Sequence, residues 1–325
     1  MIQFVRRWAW SQIEAWDRFW FGADSFAQLR VFRVVFGLVL LGYYGLRTFD
    51  LDLLYSDLGV LPLASFRELM DSKYSFSLFF LSADRVWIWI AHAVLLVATF
   101  ALTLGFWPRL AAFVVYILHL SFDQRNPFVA YGFNKVSVFF LITLMLASYH
   151  PRSAPIGSLR SSLSSVGLRL AQIQLCIIYL FAGTEKLKGI TWSRGEAMWG
   201  VFTNSQLTSF NLSGAAQFPF LLTLLTFTTL IWEIYFPPMV WGRRTRYLWL
   251  LGGILLHAGI GITMNIPFFA LGMVAAYTVY LSPQHALAIE SRFLALVQYS
   301  WQALRRLRGE RSMSDIGLSD PSSQA

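Results

Sequence analysis

Long apolar runs recur along the chain, separated by short polar connections that carry Gly, Pro or Arg. Their length and period predict eight hydrophobic helices, at about residues 28–48, 86–106, 110–122, 131–149, 172–187, 217–241, 247–263 and 266–281. A longer segment, 49–84, follows the first run. It is rich in Asp and Glu and holds the turn-forming string YSDLGVLP (Tyr55 to Pro62). Its short apolar stretch, Tyr74 to Leu81, suits a membrane interface rather than a span. The mixed segment 188–216 predicts a short surface helix near Trp192, Arg194, Gly195 and Glu196. Residues 1–24 interleave Trp8, Trp10, Trp16, Phe19 and Trp20 with Arg6, Arg7 and Arg18, the pattern of an interfacial amphipathic helix and not of a cleaved signal. Residues 284–325 begin basic and amphipathic and end in a Ser- and Asp-rich tail expected to be disordered. The fold class is all-α: a polytopic transmembrane helix bundle of about eight spans plus interfacial helices, with residues 25–283 as its membrane domain.

Composition sharpens this reading. Only 13% of residues are charged and 56% are hydrophobic, where a soluble domain carries about 25% charge. The formal charge of +9 would suit a nucleic-acid partner, but its placement in short loops follows the positive-inside rule instead. Sixteen Lys and Arg fall on the side of the N-terminus, the even-numbered loops and the tail, and seven on the other side. That bias places both termini in the cytoplasm, with the lipid bilayer as first partner and no nucleic acid. The lone Cys176 excludes an internal disulfide, and the five histidines are scattered, so no metal site is expected.

Charge inside the apolar runs marks candidate chemistry, because an ionisable group there is expensive. In the central stretch, Gln172 to Trp192, Gln172, Tyr179 and Lys186 recur every seven residues. They therefore share one helix stripe, drifting by about 20° per step. Ala182 and Gly183 on the same side admit a close neighbour. Depth along the runs places Asn134, Lys186 and His257 towards the outside. The expectation is an outward-facing cavity with Lys186 as base or anion-binding group, Asn134 and His257 beside it, and Tyr179, Gln172, Trp192 and Asp57 around it. Two plainer readings stand next to this one: Lys186 snorkels to anchor a helix end, and His257, between Gly253 and Gly261, is a packing histidine. Arg33 and Glu233 both fall in the inner halves of their runs and are expected to form a structural ion pair.

The string YLFAGTEKLKGITWSRG (Tyr179 to Gly195) resembles the Gly-x-x-Lys-Leu…Trp segment of the vitamin K-dependent γ-carboxylase family, and more specifically its bacterial HTTM-domain relatives. FRVVFG in the first run, YSDLGVLP, RNP with YGFN (Arg125 to Asn134), Glu233 with its following prolines, and His257 followed by MNIPFF (Met264 to Phe269) add to it. The resemblance implies a lysine, here Lys186, acting as base toward a reduced vitamin K of menaquinol type, with O2 and CO2 as co-reactants and a glutamate as the carboxylated group. Asn134 falls where the family has a polar Asn-His pair, but Phe133 precedes it and no histidine does. The animal enzyme's large lumenal domain has no counterpart in the final 40 or so residues, so protein-substrate recognition would need a separate soluble subunit. Bacterial relatives of this kind include membrane proteins that help mature secreted peptide toxins. Two functions thus stand side by side: a quinone-dependent carboxylase or epoxidase, and a non-catalytic membrane factor for maturation or export of a secreted peptide. A small-molecule carrier is disfavoured, because the Gly- or Pro-broken helix pairs of such carriers are not evident.

Overall fold

Proline and glycine set the helix boundaries. Pro108, Pro219 and Pro267 each open a helix, where a missing N–H is harmless and the fixed φ is already helical. Gly105, at φ +86°, closes another by donating its N–H to Ala101 and Leu102 carbonyls. The computed structural model describes residues 1–22, 25–69, 76–147, 159–204, 208, 210 and 212–307, and there is no strand among them. The helices run α1 (Ile2–Phe21), α2 (Ala27–Arg47), α3 (Leu51–Tyr55), α4 (Leu63–Leu69), α5 (Arg85–Leu104), α6 (Pro108–Arg125), α7 (Gly132–Leu146), α8 (Leu159–Lys188), α9 (Ile190–Ser193), α10 (Ala197–Thr203), α11 (Pro219–Trp241), α12 (Arg246–Thr263), α13 (Pro267–Ala276) and α14 (Pro283–Leu307). The expected tail beyond 307, the last two residues of the run 131–149, and Tyr74 and Ser75 lie outside the described residues.

Among the described residues, five helical segments are long and apolar enough to cross a membrane: Ala27–Tyr55, Arg85–Leu104, Ser161–Lys188, Pro219–Trp241 and Arg246–Thr263. The other three expected spans differ for physical reasons. α6 carries Arg109, Asp123 and Arg125. Gly132–Leu146 and Pro267–Tyr280 are apolar but short; 15 residues rise only about 22 Å, against a hydrocarbon core of about 30 Å.

Neighbouring helices pack in sequence, α2 on α5, α5 on α6, α6 on α7, α7 on α8, α8 on α11, α11 on α12 and α12 on α13, with α13 returning to α2. At Gly37 a Cβ would collide with Thr103 Oγ1, so α2 and α5 approach closely there. Trp232 Nε1 donates to the Trp249 carbonyl and Trp249 Nε1 to the Trp232 carbonyl, at 3.1 and 3.2 Å, clamping α11 to α12. α1 leaves most of its apolar side chains exposed, but its end is held by Arg169, whose Nε donates to the Phe19 carbonyl at 2.8 Å. α14 is tied to α2 by a bidentate Arg30–Glu290 pair at 2.7 and 2.8 Å. The stretch ending at Leu81 is anchored to the bundle. Phe79 is fully buried against Phe122, and Ser77 donates to the Ser121 carbonyl.

The expected Arg33–Glu233 ion pair is not formed. The Arg33 guanidinium lies against Gly105 at the end of α5, where any Cβ would collide with it, and both Glu233 oxygens are held by Lys186. Depth read from chain position takes each helix to match its apolar run, and α8 is longer than the expected run, starting at Leu159. It has 30 residues and rises about 45 Å, and its end lies level with the second half of α11. The α9–α10 segment then folds back along the first half of α11: Met198 N–H donates to Thr226 Oγ1 at 3.2 Å.

Two glycines give a paired test. Gly105→Ala is expected to destabilise by about 1–3 kcal/mol, combining a left-handed φ with a collision against Arg33. Gly45 lies inside α2, and a Cβ added there would meet nothing within 4 Å. Gly45→Ala should therefore gain up to about 1 kcal/mol. Thermal scanning of detergent-purified protein reads both.

Candidate functional site

The candidate site begins at Gly183. A Cβ there would come within 2.7 Å of Ile234 Cγ1, so only glycine lets α8 and α11 touch at this level. That approach brings Lys186, one turn on, to Glu233. Its Nζ donates to both carboxylate oxygens at 2.8 Å. The Glu233 side chain is 8% exposed and that of Lys186 is 27% exposed. Gly189 ends α8 and turns the chain into α9, which places the Trp192 ring 5.4 Å from the ammonium. A cation over an aromatic face is further stabilised. Lys188, two residues along, is exposed and pairs with Glu185 on its own helix.

About two turns deeper on the same stripe, the Tyr179 hydroxyl is hydrogen-bonded to His257 Nε2 at 2.7 Å and to the Tyr277 hydroxyl at 2.6 Å. Gly253 makes this possible, because a Cβ there would collide with the Tyr277 hydroxyl. Trp232 and Phe236 pack on Tyr179, with ring centroids at 4.8 and 4.3 Å, and Phe269 packs on His257 at 5.6 Å. His257 Nδ1 is buried without a hydrogen-bond partner among the described residues. Lys186, Tyr179, His257 and Trp192 are thus gathered by α8, α9, α11, α12 and α13, with Glu233 as an added member.

Asn134 belongs to a second polar cluster, between α2, α6 and α7. Its Nδ2 donates to the Tyr43 hydroxyl at 3.0 Å, and its Oδ1 accepts from the Tyr131 N–H at 3.2 Å. His119 Nε2 lies 3.0 Å from the Asn134 carbonyl and Nδ1 lies 2.8 Å from the Tyr44 hydroxyl. The carbonyl can only accept, which assigns the proton to Nε2 and makes Nδ1 the acceptor for Tyr44. Adjacent rings on α13 stand between the clusters: Phe268 packs on Tyr43 and Phe133, and Phe269 on His257.

Two further expected pocket residues are engaged elsewhere. Gln172 donates to the Val279 carbonyl and accepts from Arg169, both at 2.8 Å, which fixes the turn after α13. Asp57 Oδ1 accepts from the Leu63 N–H at 2.7 Å at the start of α4 and lies 3.7 Å from Arg125 Nη2. The fully buried Arg125 also donates to the Leu61 carbonyl at 2.7 Å, so RNP and YSDLGVLP form one structural corner. Sequence reasoning missed Tyr277, Tyr43 and His119. The one available signal was His119 and Asp123 four apart on α6, a shared helix face. Among the described residues, no group of three or more His, Cys, Asp or Glu side chains is placed to hold a metal ion.

The Lys186–Glu233 pair has a testable energetic signature. Lys186→Met or Glu233→Leu alone leaves one charge without its partner in an apolar bundle and should destabilise by about 3–5 kcal/mol. The double variant should recover most of that loss, read as a double-mutant cycle in thermal unfolding.

No family model matches the chain, and no solved structure matches it either. The chain is similar to the sporulation-delaying protein SdpB of Bacillus subtilis (strain 168), at 26% identity over 158 residues, 46% of each chain. The match therefore spans about half the length of that curated relative.

Proposed function

We propose that this is a multi-pass protein of the bacterial inner membrane that binds a secreted peptide and assists its maturation or export, with Lys186 as a fixed cation. The observation that carries the reading is the seating of the Lys186 ammonium between both oxygens of Glu233 at 2.8 Å. The amine is engaged as a donor to Glu233, whereas a general base must offer a free lone pair to its substrate. The resemblance to peptide-toxin maturation proteins supports the same direction. A separate soluble subunit is the partner this reading calls for.

A second reading, a carboxylase or epoxidase using reduced vitamin K with O2 and CO2, draws support from the hydrogen-bonded Tyr179, His257 and Tyr277 two turns below Lys186. A quinol does not fit the residues as they stand. The ammonium is engaged by Glu233, and Trp232, Phe236 and Phe269 pack directly on the tyrosine and histidine. Lys186 would have to leave Glu233 before serving as base.

Lys186→Ala is expected to abolish appearance of the mature peptide in the culture medium, measured by mass spectrometry in a host carrying the chain and its peptide. Lys186→Arg should retain at least about a third of the yield, because arginine keeps the charge but cannot release its proton. A dead Lys186→Arg in a folded, inserted protein would favour the base and sink the fixed-cation reading. Orientation is tested separately. With both termini cytoplasmic, Leu58→Cys in the exposed YSDLGVLP corner should react with an impermeant thiol reagent applied to spheroplasts from outside. Reaction only from the cytoplasmic side would invert the topology.

A further inference from the structure

Apart from the lysine site, the molecule carries a cleft of about 540 Å3 at the end of the bundle where α2 terminates. This lies within the roughly 300–1,000 Å3 typical of ligand sites. Arg47, Asp50, Phe128, Tyr131, Asn265 and Phe268 line it. Among the described residues, Arg47 is its one lining cation. The guanidinium is half-buried and held from one edge: Nη2 donates to the Val129 carbonyl at 3.1 Å and to the Tyr43 hydroxyl at 3.3 Å. Tyr43 is itself oriented by Asn134. Nε and Nη1 make no hydrogen bond among the described residues. A guanidinium pinned on one edge with the other edge open is preorganised for an oxyanion. Behind Arg47 the small polar cavity of Tyr44, Tyr55, His92 and His119 has room for about 10 Å3, one water at most, so a ligand stops at the guanidinium.

We infer that this cleft binds the C-terminal carboxylate of a peptide ending in an apolar or aromatic residue. The choice of ligand follows from the lining. One cation calls for a monoanion, and the exposed Asp50 on the rim repels a second negative charge such as that of a phosphate monoester. Phe128, which is 70% exposed, and Phe268 offer ring surface for an apolar side chain next to the carboxylate. The cleft opens widely, so the rest of a chain can leave it. Asn134 thereby acquires a role as a positioning residue: it holds Tyr43, and Tyr43 holds Arg47. The peptide identity rests on the proposed function; the carboxylate chemistry rests on Arg47 alone.

The test uses the full chain in detergent and fluorine NMR of N-acetyl-leucyl-para-fluorophenylalanine, compared with its C-terminal amide. The free acid is expected to bind about tenfold more tightly than the amide, the scale of one charge-assisted hydrogen-bonded contact. Arg47→Gln should remove that preference and Arg47→Lys should keep part of it. Asp50→Asn, an exposed change that leaves the core untouched, should strengthen acid binding about two- to fivefold. Equal affinity for acid and amide, or undiminished acid binding by a folded Arg47→Gln, would overturn the inference. Decanoate displacing the dipeptide at equal concentration would put a fatty acid in the cleft and overturn the peptide assignment. The two proposals fail separately: acid binding that survives while Lys186→Ala leaves secretion intact removes only the proposed function. Loss of secretion in Lys186→Ala with no acid preference at Arg47 removes only this inference.

Discussion

An ammonium and a carboxylate facing each other inside an apolar bundle constrain everything around them. The Lys186–Glu233 pair needs two helices close enough to bring both oxygens to one nitrogen, and only a residue without a side chain at Gly183 allows that distance. It also needs α8 to end at this level, which Gly189 enforces, and a ring from α9 to cover the cation. Pairing inside a low-dielectric medium stabilises little relative to an apolar substitute, but a lone survivor is costly. The pair therefore fixes the register of α8 against α11 more than it adds to overall stability, and Tyr179 and His257 meet two turns below because that register is fixed.

How much of this was legible in the sequence depends on the range of the interaction. Helices with clear apolar periods and Pro or Gly at their ends were readable, since the signals are local: Pro108, Pro219 and Pro267 sit where the structure starts α6, α11 and α13. The stripe of Tyr179 and Lys186 was readable for the same reason. Partner choice was not. Glu233 was recognised as a charge in need of a partner, and chain position pointed to Arg33, because the relative depths of α8 and α11 cannot be read from the sequence. Those depths are tertiary facts, set by an α8 of 30 residues and by a connecting segment that doubles back. Asn134 was placed at the right end of its helix, yet angular position around the bundle axis sends it to Tyr43 and not to Lys186.

The corner made by Arg125, Asn126 and the YSDLGVLP loop shows a different kind of legibility. The strings stand out in the sequence, and the structure gives them a mechanical reason: a fully buried guanidinium and an amide holding the Leu61 and Leu54 carbonyls. Prominent polar strings in a membrane protein need not mark chemistry. Here they solve the problem of terminating unpaired backbone where the first long connection meets the bundle.

Phe268 and Phe269 carry a consequence of their own. Consecutive residues on a helix point about 100° apart, and these two rings close different polar clusters from a single short helix. α13 is in this sense a cam. A roll about its axis cannot lift one ring from Tyr43 without also displacing the other from His257, so whatever loosens the chamber behind Arg47 also alters the packing beside Lys186, with no charge or proton passing between them.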